Sequence, residues 1–410
     1  MSQDKDVKIL RDLAKKVAEI AAKPVQDERR DLWRRHNSLQ HTRPLLYVRG
    51  GVAFGDILNP QLECQDPFYR GHERALRRMI FQNTLDDDFI VEPWINQGAS
   101  RITPEKGPWG VPHNRIPSTE QGGAWKYDPP IKKPEDIEKL VKPHHIIDEE
   151  ATARNVSRIR NAVGDIIEVN VDRAPFYRVW HADISTDLGY LREIEQFMFD
   201  MIDNPEWLHK LVGFLSEGVL TTHREAEEAG DWHLADTENQ AMPYSLELPD
   251  PEANSEPVTR DKLWCFCAAQ EMAQVGPQMH DEFILQYQLP IIEQFGLSSY
   301  GCCEDLTNKI DMLRQIPNLR RIAVTPWADV AKCAEQIGDE YVYSWRPSPA
   351  NMVCTQFDVD YIKKTVREAM EATKGCHVDI TLKDIQTLEG EPDRLRKWVD
   401  AVRSVTDKTG

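Results

Sequence analysis

Leu319-Arg-Arg-Ile-Ala-Val324, Ala328–Gly338, Tyr341-Val-Tyr-Ser-Trp345, Val359–Thr373 and His377-Val-Asp-Ile-Thr-Leu382 alternate short apolar runs with longer amphipathic stretches. The runs have the length and residue types of strands, and the stretches repeat their apolar residues at helical spacing. A helix between two strands returns the chain to the same end of the sheet, so the strands run parallel. Working outward, Leu297–Tyr300 reads as a strand after a helix over 277–295, and His233–Ala241 as a short strand and turn. Ile166-Ile-Glu-Val-Asn-Val171 is a strand, followed by helices over 187–202 and 205–229, the second opened by Asn204-Pro205-Glu206. Phe89–Trp94 and Leu45–Val48 are the first two strands, flanking an arginine-rich helix over 66–84. About eight strands in 410 residues fit an α/β (β/α)8 barrel over 41–410. The barrel carries an N-terminal helical extension over 1–40 and a long capping loop over 97–130, rich in Gly, Pro, Trp and Tyr.

Lys and Arg number 50 against 68 Asp and Glu, a net charge of −18. That balance argues against nucleic acid or an anionic membrane as the main partner. No run of about 18 apolar residues exists, so no membrane-spanning helix is expected. The start, Met1-Ser-Gln-Asp-Lys-Asp6, has no apolar signal core, and eight cysteines are too sparse for a disulfide scaffold. A cytoplasmic protein with reduced thiols is the expectation. Neither a Gly-x-Gly-x-x-Gly nor a P-loop follows the first strands, and no Gly-x-Ser-x-Gly or His-Glu-x-x-His occurs.

In a barrel the chemistry sits where strands end. The expected strand ends supply Arg49, Glu92, Trp94, Asp172, Arg173, Glu238, Tyr300, Trp345, Lys383 and Asp384, with Gln270 and Glu271 before the long helix. Glu92, Trp94, Arg173, Glu238, Gln270 and Trp345 are the candidates for holding substrate. Arg49, Asp172, Tyr300, Lys383 and Asp384 are the candidates for catalysis. The sharpest local signal is Tyr300-Gly-Cys-Cys-Glu-Asp305. Adjacent thiols at a glycine-loosened strand end, beside carboxylates, suit a soft metal such as zinc. Cys302, Cys303, Glu304 and Glu271 are the candidate ligands. The competing reading packs both cysteines as small apolar residues.

These features resemble the uroporphyrinogen decarboxylase superfamily, which includes zinc-dependent methyltransferases that exchange methyl groups with corrinoid proteins. The resemblance spans roughly residues 40–405. Pro44-Leu-Leu-Tyr-Val-Arg49-Gly-Gly is similar to the decarboxylase's first strand, with Arg49 on the first of its two arginines and the second missing. Asn204-Pro205-Glu206 resembles the family's Asp-Pro-Glu helix start. On the methyltransferase His-x-Cys-Gly stretch, Cys302 falls on the zinc cysteine and Tyr300 on the ligand histidine. Gly375–Asp384 resembles the last strand, with Lys383-Asp384 where a second cysteine is expected.

The resemblance implies a methyltransferase of O-demethylase type with zinc in the site. Its corrinoid (cobalamin) would come on a partner protein, because this chain has no Asp-x-His-x-x-Gly signature. The aromatic 94–127 loop would cap the small-molecule substrate, and the chain would pair as a homodimer. The alternative is a metal-free carboxy-lyase that holds carboxylates with Arg49 and Arg173, joined at the mouth by Arg178 and Arg346, and moves protons with Asp172, Lys383 or Asp384. A third reading is a ligand-binding barrel without turnover.

Overall fold

The computed structural model describes residues 2–120, 123–177, 183–355 and 357–407. Arg178 lies outside the described residues. The chain is mixed α/β. Six parallel strands form one sheet in the order β1 (Leu45–Arg49), β10 (His377–Lys383), β9 (Val342–Trp345), β8 (Leu319–Val324), β7 (Leu297–Tyr300) and β6 (Trp264–Cys267). Two more, β2 (Trp94–Gly98) and β5 (Glu168–Asp172), form a separate parallel pair. The remaining strands, β3 (Asn114–Ile116) and β4 (Lys126–Asp128), make an antiparallel hairpin inside the loop expected over 97–130.

The six-stranded sheet curls. In a flat sheet β7 and β10 would stand about 14 Å apart, three strand spacings. Lys383, ending β10, instead brings its Nζ within 3.0 Å of Cys302 Sγ, just past β7. At the other end of the sheet, Arg321 on β8 reaches Asp379 on β10 (2.7 Å), and Ser344 on the intervening strand donates to the same carboxylate (2.9 Å). His36 and Asn37, from the helix Pro24–Asn37, close this base: Asn37 Oδ1 accepts from Arg321 and His36 lies 3.3 Å from Asp379. The N-terminal helices are therefore part of the floor.

An uninterrupted eight-stranded ladder, as the sequence led us to expect, is not observed among the described residues, and the reason is local. On the outer edge of β1, the N–H groups of Leu46 and Val48 donate to the carboxylates of Asp88 (2.7 Å) and Asp87 (2.9 Å), and Gln82 donates to Val48 O. Side chains thus occupy the groups that a neighbouring strand would pair. The edge of β5 is treated likewise: Asn254 accepts from Val171 N (3.0 Å) and donates to Val169 O (3.0 Å). The strand expected over His233–Ala241 is a loop, with Gln240 at φ 63°.

Two further boundaries move. The strand expected at Phe89–Trp94 begins at Trp94, because residues 89–92 are tied to the N-terminal helix by Arg29 to Phe89 O (2.9 Å) and Val91 N to Gln26 (2.9 Å). The helix expected over 187–202 divides into Ile184–Arg192 and Ile194–Asp203 at Glu193, whose φ is 75°.

Candidate active site

Where β1, β7 and β10 end, the chain forms a cleft of about 560 Å³ lined by Arg49, Arg74, Arg78, Gln240, Gln270 and the Cys302–Cys303 and Lys383–Asp384 pairs. The turn after β7 builds its centre. Gly301 sits at φ +100°, and a side chain there would strike Leu306 and Ala323 at 2.6 and 3.0 Å. Only glycine accepts that conformation at low cost. The turn presents Cys302, 5% exposed, and Cys303, exposed, to the cleft. Glu304 holds it in shape: its carboxylate accepts from the backbone N–H of Cys302 (2.8 Å), Cys303 (2.9 Å) and Ala269 (2.9 Å). Buried Arg346 donates to the carbonyls of Gly301 (3.1 Å) and Cys302 (2.6 Å).

The Lys383 ammonium lies 3.0 Å from Cys302 Sγ, 3.4 Å from Cys303 Sγ and 3.1 Å from Asp384 Oδ2. The two sulfurs are 3.7 Å apart, and Gln240 Nε2 reaches Cys302 Sγ at 3.6 Å. The first proton leaves this pair well below the ordinary thiol value. The charge on Cys302 is stabilised first by the Cys303 thiol, then by Lys383 and Arg346, and together these outweigh burial. The same hydrogen bond, with burial, holds the Cys303 proton in place. The centre is thus a thiolate, a neutral thiol and an ammonium.

Around it stands an excess of positive charge. Among the described residues, none of Arg49, Arg74 and Arg78 forms a salt bridge; Arg74 bonds only Asn59, and Arg78 lies over the ring of Phe54. Among the described residues, buried Gln240 Oε1 has no hydrogen-bond partner. Gln240 (φ 63°) and Asp384 (φ 58°) both hold left-handed backbone without being glycine. Such strain concentrates at functional sites.

The expected site residues divide sharply. Arg49, Gln270, Cys302, Cys303, Lys383 and Asp384 line the cleft. Glu238 lies just behind it and accepts from Gln240 N. Tyr300 is 1% exposed and turned into the helical layer, donating to Gln288 (2.8 Å) and lying 2.9 Å from His280 Nε2. It does not line the cleft. Glu92 and Trp94 stand at the start of β2, the opposite end from the one expected; Glu92 is bonded by Tyr244 (2.6 Å) and Arg30 (2.9 Å). Asp172 holds Ala174 N and Arg101, and Arg173 is locked between Glu149 and Asp231. Trp345 is core. The described residues of the 94–127 loop do not line the cleft; Tyr127 instead packs with Glu271 around Gly189.

The four expected zinc ligands do not converge. Glu304 is consumed by three backbone N–H groups, and Glu271 is held by Ser185 (2.7 Å) and Thr186 (3.3 Å) beside Asp183. Among the described residues no group of three or more His, Cys, Asp and Glu side chains is placed to hold a metal. The ammonium of Lys383 sits against both sulfurs, where a cation bound by them would sit, so the donor set does not fit zinc. Arg74 and Arg78 are the functional candidates that the sequence reading missed; their signal was the i, i+4 spacing within the helix Pro67–Thr84.

No family model matches this chain, and no curated protein matches it.

Proposed function

We propose that the chain is a metal-independent enzyme acting on a small carboxylated substrate, as a carboxy-lyase. The observation that carries this reading is three guanidinium groups, without a salt bridge among the described residues, lining one cleft with the Lys383–Cys302 pair. The arginines take the carboxylates that remain on the substrate. Loss of carbon dioxide breaks a C–C bond and leaves its electron pair on carbon. The Lys383 ammonium or the Cys303 thiol supplies the proton that forms the new C–H bond, and solvent restores it. The cationic surroundings stabilise the developing carbanion. On this reading the six-stranded and two-stranded sheets belong to one (β/α)8 barrel of the uroporphyrinogen decarboxylase type.

Methyl transfer is the second reading, favoured by the Cys302 thiolate, a nucleophile suited to a methyl carbon. The corrinoid would belong to a partner protein. Carbon dioxide release from di- and tricarboxylic acids, measured with and without a chelator, tests the lyase. We expect release that withstands chelation and is lost when both proton donors are removed together, by Lys383→Met with Cys303→Ala. Lys383→Met should also raise the onset of ultraviolet thiolate absorbance by about one pKa unit or more, roughly 1.4 kcal/mol of lost charge stabilisation. One zinc per chain, bound through Cys302 and required for activity, would overturn it.

A further inference from the structure

A second cavity, of about 540 Å³, opens on the other side of the thiol pair and shares Cys302, Cys303, Lys383 and Asp384 with the cationic cleft. Its chemistry is different. Pro326 and Trp327 follow β8, and Pro347, Pro349 and Ala350 follow β9. Their rings and methyl group make an apolar wall on backbone that proline holds stiff. Trp327 is 76% exposed, the most open large apolar side chain among the described residues. An indole left in water on a rigid loop beside a reactive centre is a ready stacking platform.

The two lobes meet only through the thiol pair and the Lys383–Asp384 pair. A molecule filling both would place its anionic end among Arg49, Arg74 and Arg78, and an apolar end on Trp327. The bond between those ends would lie against Cys302 and Lys383. We propose that the substrate is an elongated amphipathic acid, with a retained carboxylate on one end, a flat apolar ring on the other, and between them the carboxylate that is lost. The inference rests on the anion-binding reading of the cleft and adds the apolar half. Little conformational entropy is lost at the wall, because its prolines are already fixed, so a ring laid there gains affinity at low cost.

The test is a ligand-observed NMR titration of the full-length protein with propionate, 3-phenylpropionate and 5-phenylpentanoate. At least one phenyl acid should bind tenfold or more tighter than propionate. Trp327→Ala should reduce that advantage to threefold or less while leaving propionate affinity unchanged, and Trp327→Phe should keep most of it. Arg78→Ala should weaken all three acids together. Trp327 is exposed, so its replacement leaves the fold intact, and the propionate arm verifies this. Equal affinity for propionate and both phenyl acids overturns the inference and leaves the anion cleft standing. A phenyl advantage that survives Trp327→Ala also overturns it. Failure of every carboxylate to bind, succinate and citrate included, overturns the anion cleft and this inference with it.

Discussion

A single hydroxyl proton decides the state of the acidic pair beside the cleft. Ser185 Oγ lies 2.5 Å from Asp183 Oδ1 and 2.7 Å from Glu271 Oε2. A hydroxyl donates once, so the second short bond needs a proton on one of the carboxyls. Burial pushes both groups upward, helped at Asp183 by the charge of Glu271 and at Glu271 by that of Glu304, which agrees with that count. A folded-state value above the unfolded one contributes stability that is complete below the ordinary carboxyl value. It is lost as pH rises through the folded value. Glu271→Gln supplies a permanent donor. Its melting temperature should match wild type at pH 5 and exceed it at pH 8–9, as a thermal melt series would register; a wild-type advantage at alkaline pH would refute the shared proton. In a regular strand residues 300 and 302 would share a face. Gly301 at φ +100° breaks the alternation, so the thiol enters the cleft while the phenol stays with the helices.

At the scale of elements, that turn is the part most sensitive to change. Gly301→Ala puts a methyl group against Leu306 and Ala323 and forces an L side chain into left-handed backbone. We expect about 1–3 kcal/mol of destabilisation, with a larger loss of Cys302 reactivity toward iodoacetamide than the stability change accounts for. Unchanged thiol reactivity at unchanged stability would show that the turn does not place the thiol. Elements also explain which features were legible beforehand. Lys383 and Asp384 close a long apolar strand, so their place at its end followed from pattern alone. Glu92 was misplaced because Pro93 and the side chains of Gln26 and Arg29 move the start of β2 to Trp94. The ladder breaks were hidden as well, since nothing local marks Asp87, Asp88 or Asn254 as caps on strand edges.

The whole molecule sets a paradox of charge. The chain carries −18 overall, yet its cleft gathers a lysine and three arginines that form no salt bridge among the described residues. Local fields in a concave, partly dry site override the net charge, so a chain whose acidic balance argues against nucleic acid and anionic membranes still presents a cleft suited to a small anion. The floor is equally a product of long-range assembly. Asn37 and His36 complete the buried Arg321–Asp379 pair, and Trp33 packs with Leu45 and Tyr47 above it. A chain begun at residue 39 uncovers that pair and removes Asn37 from Arg321. It should lose cooperative melting and near-ultraviolet circular dichroism while keeping helix; a sharp, native-like transition would show the first two helices to be dispensable. Periodicity and chain order by themselves determined the parallel strands, the crossover helices and the cluster Cys302, Cys303, Lys383 and Asp384 at strand ends, because those depend on local spacing. Only the folded chain decided that Arg74 and Arg78 join them, that Glu304 and Glu271 turn away, and that an ammonium occupies the place beside the sulfurs. Those outcomes depend on which residues separated along the chain, 81 positions for Cys302 and Lys383 and 86 for Ser185 and Glu271, meet at one point, and local spacing does not reveal that meeting.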